Sequence, residues 1–423
     1  MLDIRFIREN EALVKKTIKD KGISLDLDEL LEVDERRRKL IKETEQLQAK
    51  QNQLDKDSIE EARKIKQEIK KLKPELQETE KKFQELMLIT PNIYSADSPV
   101  GEDDSKNEEL YRKGDTPSFS WDVKDHITLG KNLDIIDTEN GTKVSGFRGY
   151  YLKNEGALLS FAVLWYCIEK MIAEGFSFMI PPTILREFAL TGSGHFPFGK
   201  EEIYQIANPG RLADGSEKKE KTYLAGTSES ALLAYFSDKT FEEKELPIKV
   251  CAFSQCYRSE AGSYGKDTRG LYRLHEFMKV EQVVLCKNDT EESNQWLDKM
   301  KDISEEVLED LKLPYRVLQI CTGDMGAGKH KMYDIETWMP SRDSYGETHS
   351  DSNLTDWQAR RLNIAYRNSK NEKILVHTLN NTVIASPRIL IAILENYQQE
   401  DGSVLVPEVL QKYLPFTEIK AKK

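Results

Sequence analysis

The sequence predicts an α+β protein in two parts. The first is an N-terminal antiparallel coiled-coil helical hairpin; the second is a larger domain built on a mostly antiparallel sheet with flanking helices. Three observations carry this. Two heptad-like apolar runs near the N-terminus are separated by a short break. Farther on, strand-like segments alternate with long amphipathic helical ones. Between Ile248 and Glu281, two alternating arms flank a charged, glycine-bearing connection, Ala261–Gly270, the pattern of an antiparallel hairpin with a long loop. At 423 residues the chain is long for one core, so two domains are the prior.

Taken in order, Asp3–Lys21 reads as one amphipathic helix, with Asp3 as N-cap and Gly22 as the stop. Leu30, Val33, Arg37, Leu40, Thr44, Leu47, Gln51 and Leu54 then recur in steps of three and four. After a turn near Asp55–Ser58 the pattern resumes at Ala62, Ile65, Ile69, Leu72, Leu76, Thr79, Phe83 and Leu86. The seam is thin and partly polar, and Pro74 should kink the second helix or open its hydrogen-bond ladder. Between Glu35 and Lys73, thirteen Lys/Arg face eight acids, a local balance of +5 in a chain of net charge −11. Such a face suits either a solvated coiled coil or an arm that meets RNA by shape and phosphate charge.

Ile89–Asp125 has three prolines, an acidic cluster at Glu102–Asp104 and little periodicity. Boundaries are drawn at 1–100, with the arm at about 27–88, a linker at 101–128 and the main domain at 129–423. In that domain Tyr150–Lys153, Phe178–Pro182, Tyr315–Ile320 and Lys331–Trp338 read as strands, and Gly156–Gly175 and Asp289–Leu311 as helices.

Composition narrows the function classes. A pI of about 5.4 argues against a generally basic nucleic-acid coat, though not against a local basic patch. Five scattered cysteines with no CxxC read as reduced thiols rather than a zinc site, and point to the cytoplasm. The N-terminus has no apolar signal-peptide core, and no apolar run reaches membrane-spanning length. The hairpin is the chemically telling stretch. Arg258 ends its first strand opposite an aromatic on the returning one; a guanidinium fork grips phosphate and a ring stacks on a base.

YRSEAGSYGKDTRGLYRLHEFMKVE, at 257–281, resembles motif 2 of a class II aminoacyl-tRNA synthetase, specifically the seryl-tRNA synthetases of bacterial type. CTGDMGAG at 321–328, DWQARR at 356–361, VHTLN at 376–380 and ILENYQQEDGSVLVPEVL at 393–410 resemble the same family, in its order and over essentially the whole chain. The resemblance implies a class II catalytic domain on its antiparallel sheet, behind an N-terminal tRNA-binding domain. It implies ATP as substrate, Mg²⁺, L-serine, and tRNA(Ser), with tRNA(Sec) where present. It also implies a cytoplasmic homodimer with no membrane partner.

Residue by residue, the resemblance makes Arg258 and Arg388 catalytic, on the α- and γ-phosphates of ATP. It places Ser259, Glu260, Leu274, Phe277, Glu347, Thr348, His349 and Ser350 in the ATP-binding set. Glu347 and Ser350 match the Mg²⁺ ligands. His349 has no second His at metal-ligating spacing and is not taken as a metal ligand. Thr227, Glu229, Arg258, Glu281, Asn380 and Thr382 match the serine-binding positions. Arg36, Arg38, Lys42, Arg63, Lys66 and Lys70 are the arm cations expected on tRNA. Departures fall at Ser228, Thr348, His349 and Thr382, and several customary glycines between Asn380 and Arg388 are missing. Two rivals remain open: the same fold loading a carrier protein or another small amino acid, and a non-enzymatic RNA-binding scaffold.

Overall fold

The computed structural model describes residues 1–54, 58–208, 210–261 and 270–421, and the chain forms two compact units, Met1–Ile93 and Tyr94–Lys423. The first unit holds four helices: α1 (Ile4–Glu9), α2 (Glu11–Asp20), α3 (Leu27–Gln53) and α4 (Ile59–Ile89). The single helix expected over Asp3–Lys21 is therefore two. Asn10 interrupts it with non-helical backbone, and its side-chain amide donates to the Phe6 carbonyl at 3.0 Å. This is how Asn competes with a helix it sits in. Asp3 does cap the start, accepting from the Arg5 N–H at 2.8 Å. Gly22 follows the end with φ of 63°.

Helices α3 and α4 form the expected antiparallel pair. Arg36 is ion-paired with Glu75, and Lys82 with Glu29 at 3.0 Å, so partners descend on one helix as they ascend on the other. Leu30, Leu40, Ile65 and Phe83 are buried in the seam. The polar seam position Arg37 lays its guanidinium over the Phe83 ring, 4.7 Å from its centre. Helix α4 continues through Pro74. The expected turn at Asp55–Ser58 falls largely on residues 55–57, outside the described residues.

The second unit is organised by an eight-stranded sheet. Its strands are β1 (Glu108–Lys113), β2 (Ser177–Met179), β3 (Ile248–Tyr257), β4 (Glu276–Cys286), β5 (Tyr315–Gln319), β6 (Lys331–Met339), β7 (Ser344–Asn353) and β8 (His377–Ala385). The order is β1-β5-β6-β7-β8-β4-β3-β2, and every pairing is antiparallel except that of β2 with β3. One expectation needs correcting. The stretch 101–128, read as linker, contains β1, which closes one edge of the sheet by pairing with β5. Its sequence, EELYRK, is almost wholly exposed, so it carries no apolar alternation to announce a strand. The two compact units also meet at 93/94 rather than at 100.

Helices α5 (Asn154–Ala173), α6 (Thr290–Asp310) and α7 (Ser386–Asn396) supply most of the core that packs on the sheet. Gln282 on β4 and Asn381 on β8 both donate to the Met300 carbonyl of α6, at 3.1 and 3.0 Å. Strand side chains alternate between faces. Glu281, Asn380 and Thr382, each next to one of these residues, therefore point to the opposite face, where the candidate site lies.

Candidate active site

A strand end, a helix start and a bulged strand converge on one cavity. It is lined by Arg258, Glu260, Leu274, Phe277, Glu347, Thr348, Ser350, Thr382 and Arg388, with Lys279 and Tyr272. Arg258 follows the last residue of β3. Its backbone N–H donates to the His275 carbonyl at 3.0 Å, and its Nε to the Gly226 carbonyl at 3.2 Å. These bonds hold the guanidinium 5.4 Å from the centre of the Phe277 ring. Glu260 sits in left-handed backbone, φ 54°, an uncommon conformation for a residue with a Cβ, and its carboxylate accepts from Arg273 Nη1 at 3.3 Å. The expected connection at 261–270 lies outside the described residues between 262 and 269.

Arg388 opens helix α7 just after Pro387, which suits a first helical turn. Its Nε donates to the Tyr272 carbonyl at 3.1 Å and its Nη1 to Glu347 Oε1 at 3.1 Å. The Tyr272 ring lies 4.6 Å from the guanidinium. Desolvation opposes ionisation of Glu347, but the guanidiniums of Arg388 and Arg258 override it and hold the carboxyl below its ordinary range. Asp334, directly opposite Ser350 across the β6–β7 ladder, goes the other way. Burial, and then the charge of Glu347, push it well up. Its Oδ1 is buried without a hydrogen-bond partner.

A buried cluster of polar side chains adjoins this cavity. Thr227, Glu229, Glu281 and Asn380 are all buried. Glu229 Oε1 accepts from Gln358 Nε2 at 2.6 Å and from Asn380 Nδ2 at 2.9 Å. Glu281 is ion-paired with Lys279, whose Nζ also donates to Thr227 Oγ1 at 2.7 Å. Thr382 Oγ1 lies 3.5 Å from Glu281 Oε2, which joins the cluster to the cavity.

Most of the expected residues thus stand together, and three are placed differently. The Ser259 hydroxyl and N–H are spent on the Glu201 and Glu202 carbonyls, at 2.6 and 2.9 Å, and its side chain does not line the cavity. Thr348 lines the cavity, but its hydroxyl is bonded within the sheet, to Thr337 Oγ1 at 2.7 Å and His349 Nδ1 at 2.8 Å. His349 lies opposite Ile335 in the ladder and outside the cavity lining; burial pulls its pKa down to about 4, so it is neutral near pH 7. Lys279, Gln358, Tyr272 and Asp334 were not singled out from the sequence. Only Lys279 had a usable signal: it lies between Phe277 and Glu281 on one face of a strand of period two.

The donor set suits a hard cation. Glu347 supplies a carboxylate and Ser350 a hydroxyl to the cavity. Among the described residues no group of three or more His, Cys, Asp or Glu side chains could hold a metal. A cation here would complete its shell with oxygens from elsewhere, as Mg²⁺ does on phosphates.

Known proteins resemble this chain throughout its length. The family described as the tRNA synthetase class II core domain (G, H, P, S and T) matches residues 210–397, and the seryl-tRNA synthetase N-terminal domain matches residues 1–94. The serine–tRNA ligase of Deinococcus radiodurans is 42% identical over 430 residues, spanning 99% of each chain. That of Rubrobacter xylanophilus is 41% identical over 98% of each. Among solved structures, the seryl-tRNA synthetase of Pyrococcus horikoshii complexed with ATP superposes with a TM-score of 0.91 at 36% identity, over 100% of both chains. The cytoplasmic serine–tRNA ligase of Naegleria fowleri in complex with AMP gives 0.88 at 31% identity, over 100% of this chain and 99% of that one.

Proposed function

The chain belongs to the seryl-tRNA synthetases, and from that membership we propose how its own residues divide the work. The activity is that of a serine–tRNA ligase: L-serine is activated with ATP to seryl-adenylate, then passed to the 3′ end of tRNA(Ser). The observation that carries the assignment of roles is that a cavity lined by two fixed arginines, Arg258 and Arg388, adjoins a buried polar cluster containing two carboxylates, Glu229 and Glu281.

Arg258 holds the α-phosphate where the serine carboxylate attacks, and stabilises the charge that develops there. Arg388 holds the far end of the triphosphate, backed by Glu347 and the Tyr272 carbonyl. Phe277 and Leu274 bear on the nucleoside, and Glu260 on its base. The bond formed joins a serine carboxylate oxygen to phosphorus, and the bond broken releases pyrophosphate. In the second half-reaction a terminal ribose hydroxyl displaces AMP from the adenylate. No side chain becomes covalently engaged; positioning and charge do the work. Mg²⁺, held by Glu347 and Ser350, would neutralise phosphate charge when bound.

Glu229, backed by Asn380 and Gln358, receives the serine ammonium, and Glu281 with Thr382 the hydroxyl. Loss of a buried polar partner then rejects alanine by roughly 10⁴–10⁵, whereas threonine must be refused by space. The exposed arm cations Lys42, Arg63, Lys66 and Lys70 make no ion pair among the described residues, which suits them to phosphate. Arg36 and Arg38 are partly committed, to Glu75 and Asp34. We place the enzyme in the cytoplasm as a homodimer. All five cysteines, unpaired and buried, support a reducing compartment.

The test is ATP–pyrophosphate exchange with serine, threonine, alanine and glycine, beside an Arg258→Ala control. Exchange should be confined to serine and fall by about 10²–10³ in the control, the scale of one lost transition-state donor. Exchange driven by another amino acid, or undiminished in Arg258→Ala, would overturn these roles.

A further inference from the structure

The two carboxylates of the buried polar cluster are satisfied in different ways. Glu229 is held by two neutral amides, Gln358 and Asn380, both on Oε1. Glu281 is held by an ammonium, that of Lys279, which is anchored in turn on Thr227 Oγ1. Lys279 is 4% exposed and Glu281 2%, so water screens neither. In such surroundings charges interact strongly, and an uncompensated one dominates what binds beside it. Amide donors occupy the lone pairs of a carboxylate but leave its charge standing. An ammonium cancels it.

We propose that Lys279 sets the direction in which the amino acid lies, by making the Glu281 end of the cluster neutral and leaving the Glu229 end anionic. This rests on the serine-site reading given above. The substrate's single cation, its α-ammonium, is drawn to Glu229, where its charge is answered. Its hydroxyl goes to Glu281, which still accepts a hydrogen bond but no longer attracts a cation. An amino acid carrying a second ammonium in place of the hydroxyl is refused, because that charge would arrive beside Lys279. Lys279 is thus a positioning and specificity residue. Packing alone would not require a charge at this position, since a methionine fills similar volume.

The probe is L-2,3-diaminopropionate, which replaces the serine hydroxyl with an amine. Pyrophosphate exchange is measured with serine and with this compound, for the full-length wild type, Lys279→Met, Lys279→Gln and the double variant Lys279→Met/Glu281→Gln. The wild type should use serine and discriminate strongly against the diamine. Both single variants should shift the kcat/KM ratio toward the diamine by about tenfold or more, the scale of a buried charge left unmatched. Lys279→Gln serves if the methionine variant folds poorly, because it keeps hydrogen-bonding reach to Thr227 without the charge. The double variant, neutral again at that end, should recover the preference for serine. Equal loss of both activities in the single variants, with the ratio unchanged, would reduce Lys279 to a structural role and overturn the proposal. No serine exchange in the wild type would instead overturn the serine-site reading and this proposal with it.

Discussion

Single residues in this enzyme are governed by how far burial outweighs their neighbours' charges. His377 opens β8, buried, with its Nδ1 3.0 Å from the Ser293 hydroxyl of α6. Burial lowers its pKa from an ordinary 6.5 to about 4. Between those values the unfolded chain takes up a proton that the folded one refuses, so stability falls as pH drops through that window and is unaffected above it. The loss from this one residue reaches about 3 kcal/mol at most. Denaturant unfolding of the wild type and of His377→Gln between pH 6.5 and 4 should show a shallower fall in the variant; parallel curves would count against the assignment. How legible such residues are depends on whether their chemistry is local. Arg258 and Phe277 announce themselves, as a guanidinium at a strand end opposite a ring on the returning strand, whereas Arg388 is reached only through the family resemblance. Gln358 does not: it is an ordinary helical glutamine until the fold brings Glu229 within 2.6 Å of it. His349 misled for the same reason: the bulge between Ile335 and Glu336 sets which side chains of β7 face the cavity, and no residue type signals that bulge.

At the scale of elements, the arm is separable from the chemistry. Helices α3 and α4 run side by side, and the ion pair of Arg36 with Glu75 shows that the chain at 35 and the chain at 75 are neighbours. Excising Glu35–Lys73 and closing the gap with a short Gly/Ser linker therefore strains neither end. Leu30, Phe83, Leu86 and Met87 stay to cover the stump. The variant should keep serine-dependent pyrophosphate exchange near wild type and lose charging of tRNA(Ser). In the wild type, charging at subsaturating tRNA should weaken with added salt, since each neutralised phosphate contributes a slope of roughly −0.7 to −0.9 in log K against log salt. Charging that survives the excision would remove the arm from tRNA binding. Helices this long and periodic were readable, because heptad spacing persists over many turns. Strand β1 was not, because its backbone ladder to β5 and the polar contacts of Tyr111 and Lys113 with Glu305 require no apolar alternation along the sequence.

Across the whole molecule, one feature asks for a partner. Helix α5 is apolar on nearly every side; contrary to the expectation that no apolar run reaches membrane-spanning length, it is long and apolar enough by composition to cross a membrane, the one such helix among the described residues. One face explains itself: Leu159, Val163, Cys167 and Met171 are buried in the core of the second unit. The other does not. Phe161 is 59% exposed and Trp165 54%, and with Leu158, Phe178, Ile180 and Leu414 they line a largely apolar groove. A helix hydrophobic all round belongs in an interior, and an apolar patch of this kind marks an interface. The occupant that fits the homodimer proposed above is a second copy of this chain, which would bury both grooves at once about a twofold axis. Phe161→Glu puts a charge into that contact while disturbing little within one subunit, since the side chain is already mostly in water. Light scattering coupled to size exclusion should give twice the chain mass for the wild type and a monomer, or a concentration-dependent mixture, for the variant. The wild type's thermal midpoint should then rise with protein concentration, because a subunit that binds only its folded partner is stabilised by mass action, and the variant's midpoint should be lower and less dependent on concentration. An unchanged mass for Phe161→Glu, at the lowest concentration that can be read, would move the interface elsewhere.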